Sequence, residues 1–161
     1  MKIRTGFVSN SFRSSFVVAF PRDPKSSEEV RDMMFGDTSI SKSSYKADSY
    51  ETSVIAATVF NAIKMQKPNN RKNILEAIVG GWFDGVIQAD EFMSSTGEVD
   101  WGAWGRANKR AAKEIVDKKM IEWGNSKVYV FDYGDNDGDF GSMMAHGGIF
   151  DKLPNIVTSY H

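Results

Sequence analysis

Cysteine is absent from the 161-residue sequence, which excludes disulfides, thiolate metal sites and cysteine nucleophiles and fits a reducing compartment. Histidine is scarce, with His146 and His161 the only two. Long apolar runs are also missing. The longest, such as Phe16 to Phe20, fall far short of the roughly 20 residues that span a bilayer, so no membrane partner is expected. The basic start Met1 to Arg4 is followed by Ser9, Asn10, Ser11 and Arg13 rather than by the apolar stretch of a signal peptide, and a cytoplasmic protein is expected. Neither sign of charge dominates. Twenty Lys and Arg stand against 21 Asp and Glu for a net charge of −1, so a charge-driven partner must be engaged by a local patch. Glycines do not fall into a Walker loop or a G-x-G-x-x-G turn, and no G-x-S-x-G elbow supports a serine triad.

What is present suits one domain, long enough to bury about two-thirds of its unfolded surface around a core. Phe16 to Phe20, β-branched and aromatic and stopped by Pro21, reads as a buried strand. Ser26-x-x-Glu29 is a capping box, which predicts a helix over 27–35 closed by Gly36. The Ser- and Thr-rich stretch 37–47 reads as a mobile loop. Asp48-x-x-Glu51 as a cap predicts a helix over 49–66, and Asn70 as a cap predicts another over 71–82. Val86-Ile87 is expected to begin a short strand. A helix over 101–123 is expected between a cap at Asp100 and Gly124, with Trp104, Ala107, Ala111, Ile115 and Met120 on its apolar face. Strands are expected over 128–133 and 156–160. The sum is an α+β, or three-layer α/β, single domain with a small sheet and about four helices.

The opening M-K-I-R-T-G-F-V-S-N, followed by serines and a phenylalanine, resembles the start of uncharacterised phage and bacterial open reading frames. Ser9, Asn10, Ser11, Ser14, Ser15 and Phe16 fit their pattern, while Phe12 and Arg13 interrupt the serine run, and H-G-G-I-F near the end with a closing histidine is similar too. The resemblance implies a phage or prophage setting and no particular chemistry. On their own, the serines suit a hinge, a phosphate nest, a modification target or, more simply, a polar lead-in to the strand.

Chemistry is most concentrated after the 128–133 strand. Asp132, Asp135, Asp137 and Asp139 offer hard oxygen ligands on a glycine-rich loop, suited to Mg2+ or Ca2+ or else to a plain turn. An EF-hand is excluded by spacing: with Gly138 in sixth place, Tyr133 falls first and Met144 twelfth. Asp135-x-Asp137-Gly138 also resembles the first motif of haloacid-dehalogenase-type phosphotransferases, which need a lysine and further carboxylates well downstream. His146 suits a general base, a further metal ligand, or the C-terminus of a short helix closed by Gly147. Arg106, Lys109, Arg110 and Lys113 form a basic helix face near Trp101 and Trp104, either a grip on phosphates while an aromatic stacks on a base or a solvated exterior. The N-terminal end is basic and the loop acidic, and the two meet if the Phe16 and Val128 strands pair.

Three functions follow as expectations. The first is a phage-like accessory protein that binds a host or viral macromolecule without catalysis and without cofactor; a protein partner suits it better than nucleic acid. The second is a divalent-metal-dependent hydrolase or phosphate-handling enzyme using Mg2+ or Ca2+ at the aspartates with His146. The third is a minor virion or self-assembling component.

Overall fold

The computed structural model describes residues 13–42, 49–80, 87, 89–138 and 140–160. The chain folds as an α+β domain built on a strand, β1 (Arg13–Phe20), flanked by β4 (Lys127–Gly134) and β5 (Asn155–Tyr160), both antiparallel to it. A two-stranded antiparallel ribbon, β2 (Ile40–Lys42) with β3 (Ser49–Glu51), lies apart from that sheet. The helices are α1 (Ser27–Phe35), α2 (Thr52–Lys64), α3 (Arg71–Gly80), α4 (Trp101–Trp123) and α5 (Gly141–His146), with a 3-10 turn at Ala89–Phe92. Among the described residues no helix is long and apolar enough to cross a membrane.

β1 is central because its side chains are apolar on both faces, the signature of a strand covered twice. Phe16, Val18 and Phe20 face one core with Val30 and Met34 of α1, Ile55 and Val59 of α2, and Tyr129, Phe131 and Phe150. Val17 and Ala19 face the other with Ile74 and Ile78 of α3, Ala112 and Val116 of α4, Val128 and Ile156. The result is three layers, α1, α2 and α5 on one face of the sheet and α3 and α4 on the other.

Several boundaries differ from the sequence reading. β1 begins at Arg13 rather than Phe16, so Ser14 and Ser15, 2% and 6% exposed, are strand residues inside the protein. Ladder position overrides the weak strand preference of serine here. The expected loop over 37–47 contains β2, and residues 43–48 lie outside the described residues. The helix expected from residue 49 begins at Thr52, because Ser49–Glu51 pairs with β2 instead. Thr52 fixes that start: its Oγ1 donates to the Thr38 carbonyl at 2.8 Å and its backbone N–H to the Ser39 carbonyl at 2.9 Å. Glu51, in the cap position, makes no side-chain capping bond. Of the expected Val86-Ile87 strand, Ile87 is a bend and Val86 lies outside the described residues, as do Gly81 and Trp82 of the helix expected over 71–82.

α1 and α4 occupy the expected ranges. Ser26 accepts from the Glu29 N–H, Asp100 accepts from the Ala103 N–H at 2.9 Å, and Gly124 ends α4 at φ +54, where a side chain would be strained. The buried seam of α4 runs one residue beyond the expected one, through Asn108, Ala112, Val116 and Trp123. Alanines at 107, 111 and 112 give periodicity little to choose between.

The two edges of the main sheet differ. On β4 the connection after α2 supplies a substitute strand: the Gln66 side-chain amide donates to the Val130 carbonyl at 3.1 Å and accepts from the Val130 N–H at 3.3 Å, and the Asn69 N–H donates to the Val128 carbonyl at 2.7 Å. β5 has no such cover among the described residues, and Val157 on it is 48% exposed.

Candidate functional site

β4 delivers Asp132 and Gly134 to the end of the sheet, and the chain then turns back into α5 through residues 135–140. The turn is closed by its own polar groups. Asp137 Oδ2 accepts from the Gly134 N–H at 2.7 Å while the Asp137 N–H donates to the Gly134 carbonyl at 3.0 Å. This reciprocal pair is the backbone-mimicking bond that makes aspartate a turn residue. Gly141 completes the closure by proximity, since a Cβ there would lie 2.5 Å from the Gly134 carbonyl oxygen and 2.9 Å from that of Asp135.

The carboxylates have partners within the chain. The β1 to β4 register sets Arg13 opposite Gly134 and Ser15 opposite Asp132. From there the guanidinium bridges Asp132, with Nε 3.4 Å from Oδ1, and Asp137, with Nη2 3.5 Å from Oδ2. The basic start of β1 and the acidic loop therefore meet, as strand pairing required. Asp135 faces His146 at the end of α5, Oδ1 lying 2.6 Å from Nε2, with both side chains about three-quarters buried. Asp135 Oδ1 makes no hydrogen bond among the described residues. Asp139 lies outside the described residues. Among the described residues, no three of His, Asp and Glu converge as a metal site requires. A cation entering between Asp132 and Asp137 would have to expel the Arg13 guanidinium.

Two tyrosines of β4 went unnoticed in the sequence and distinguish the ends of this site. Tyr133 stacks on Phe131, centroids 6.2 Å apart and planes at 10°, and its hydroxyl is buried with no hydrogen-bond partner among the described residues. Burial pushes its phenol well above the ordinary range. Tyr129, at the other end of the strand, is buried as well, but its hydroxyl donates to Asp23 at 2.6 Å. Burial first, and then that bond, raises the Tyr129 phenol, while the same bond, helped by Lys25, holds the Asp23 carboxyl below its usual range. Alternation of aromatic and β-branched residues in Y-V-F-D-Y located the strand, but nothing in it told which hydroxyl would find a partner.

The second charged region is the outer face of α4. Arg106, Lys109, Arg110 and Lys113 are all exposed there. None reaches a carboxylate among the described residues, whereas Arg13, Arg22, Lys25, Arg31, Arg71, Lys72 and Lys119 all do. Trp104, at the start of the helix, is anchored by its Nε1–H donating to the Ile87 carbonyl at 3.2 Å. Trp101 stands edge-on to it, centroids 5.8 Å apart and planes at 87°, and is 62% exposed. The four cations and the acidic loop belong to different places: the loop lies at the end of the sheet, and the cations lie on the solvent side of the α3 and α4 layer.

No protein-family model, curated protein or solved structure matches the chain in sequence or fold.

Proposed function

We propose that this is a phage-type accessory protein that engages a host or viral protein inside the cell and does so without catalysis. The observation that carries this reading is the internal pairing of the acidic loop. Asp137 is bound to the Gly134 N–H, Arg13 lies across Asp132 and Asp137, and Asp135 is set against His146. Carboxylates held in this way stabilise a turn, and a hydrolytic centre needs them directed at a metal or a substrate. Affinity capture with the tagged full chain from phage-infected and uninfected bacterial lysates, read by mass spectrometry, tests it. One protein recovered in near-equal amount, and retained by an Asp135→Asn, His146→Gln variant, is expected. Loss of that protein with the two loop substitutions would overturn the reading.

A second reading rests on the close approach of Asp135 and His146, which sets a carboxylate against an imidazole. In it the pair serves a divalent-metal-dependent hydrolase or phosphate-handling enzyme, with Mg2+ or Ca2+ at the 132–139 loop. Melting with and without Mg2+, Ca2+ and Mn2+ separates the two readings. A metal at a hundred times its dissociation constant stabilises by about 2.7 kcal/mol, and Asp135→Asn should abolish that shift. An unchanged melting temperature at millimolar metal removes the enzyme reading.

A further inference from the structure

The alternation of main-chain hydrogen bonds decides which groups the two outer strands of the main sheet turn outward. The Ala19 N–H donates to the Pro154 carbonyl at 2.9 Å, and the β1 to β5 register runs on from that pair. Ile156, Thr158 and Tyr160 therefore direct their N–H and C=O groups at β1, and Asn155, Val157 and Ser159 direct theirs away from the sheet. The same alternation on β4 turns out Val128 and Val130, where Asn69 and Gln66 take up the exposed groups. No described residue takes up the outward groups of Asn155, Val157 and Ser159.

An apolar row ends at this margin. The register sets Phe131, Phe16 and Val157 side by side across the three strands, on the face packed by α1, α2 and α5. Exposure rises from 3% and 5% at the two phenylalanines to 48% at Val157, so the row stops short of being covered. Proteins usually blunt a bare strand with a charge, a proline or a bulge. The stretch 155–160, N-I-V-T-S-Y, contains no charge and no proline, and its pairing with β1 is unbroken.

We infer that β5 is a pairing edge for β5 of a second copy of this chain, laid antiparallel across a two-fold axis at Val157. That axis makes Val157 its own partner and sets Asn155 opposite the partner's Ser159, each pair exchanging two main-chain hydrogen bonds. The apolar row then continues through the partner's Val157 into its Phe16 and Phe131. Two features favour a copy over a strand of another protein. The outward residues are spaced evenly about Val157, so the edge is its own complement, as an isologous contact requires. The strand also brings no charge to face itself, which would oppose such a pairing. The contact is one between copies and does not depend on which host or viral protein is bound.

Sedimentation velocity over roughly 1 to 200 µM tests it, and a monomer–dimer equilibrium is expected. Val157→Lys sets two ammonium groups against each other and should weaken the dimer about tenfold or more. Met65→Lys, at an 88% exposed position beside the opposite margin, should leave it unchanged. Because the chain has no cysteine, Val157→Cys supplies a single thiol. Oxidised glutathione should link it to its equivalent, since the Cα atoms of a hydrogen-bonded pair lie about 5.5 Å apart, within the span of a disulfide. Met65→Cys should remain unlinked. Every variant should keep the wild-type circular dichroism spectrum, which excludes a folding defect. A wild-type chain that stays monomeric throughout overturns the inference, and if that monomer loses its captured protein on Val157→Lys, the β5 edge belongs to that protein instead. A dimer that survives Val157→Lys and leaves Val157→Cys unlinked overturns the β5 contact as well.

Discussion

The end of the sheet at residues 132–146 and the outer face of α4 are two charged parts of the molecule that treat charge in different ways. At the sheet end, each described carboxylate is answered by a backbone N–H, the Arg13 guanidinium or an imidazole. On α4 the four cations make no close ion pair among the described residues, although Lys113 acts at longer range on Asp117, one turn further along the helix. Charge that is paired internally holds its own loop, while charge left unpaired at the surface contributes little to folding and remains available to a partner.

Substitutions at the loop should therefore act on stability and those on α4 should leave it nearly unchanged, with effects that decline in order. Gly141→Ala should be the most damaging, by about 2 to 3 kcal/mol in urea denaturation, because its methyl group would press into the Gly134 carbonyl. Asp137→Ala should cost about 1 to 2 kcal/mol by leaving the Gly134 N–H without its acceptor and loosening Arg13. Tyr129→Phe should cost about 1 kcal/mol, whereas Tyr133→Phe should be neutral or slightly stabilising, because the first hydroxyl is bonded to Asp23 and the second has no partner among the described residues. Both phenols are raised in the folded state, so their contribution is complete below about pH 10 and is lost as pH rises beyond it. Chemical denaturation should show a decline of about 1.4 kcal/mol per pH unit for each tyrosine, halved by Tyr133→Phe. The smallest effect belongs to α4: replacing Arg106, Lys109, Arg110 and Lys113 together by alanine should alter stability by less than about 0.5 kcal/mol. A large loss there would remove the contrast.

The residues that specify backbone conformation locally were readable in the sequence. Ser26, Asp100 and Gly124 mark helix ends because capping is a matter of a few neighbouring atoms, and α1 and α4 fall where those residues put them. Asp48-x-x-Glu51 misled for the complementary reason: the same spacing stood next to a ribbon whose partner, β2, lies across the 43–48 segment, and pairing with it took precedence over the cap. Ser14 and Ser15 looked like a lead-in because their burial depends on two strands more than 100 residues away. The acidic loop was found in the sequence, and the meeting with Arg13 followed from strand pairing, but the facing of Asp135 and His146 depends on a helix of only six residues. Trp101 was read beside the basic face as a ring that could stack on a base, and its edge-on contact with Trp104 was not foreseen, since periodicity identifies which side of a helix is buried and not which exposed rings touch.

The covering of β4 by Gln66 and Asn69 has a consequence for how such molecules can associate. A strand added from outside the described chain finds the β4 margin of the main sheet closed and the β5 margin open. In the language of polymer chemistry the sheet is monofunctional. Among the described residues, its main-chain bonds can take another strand at the β5 margin, while the β4 margin is already occupied at Val128 and Val130.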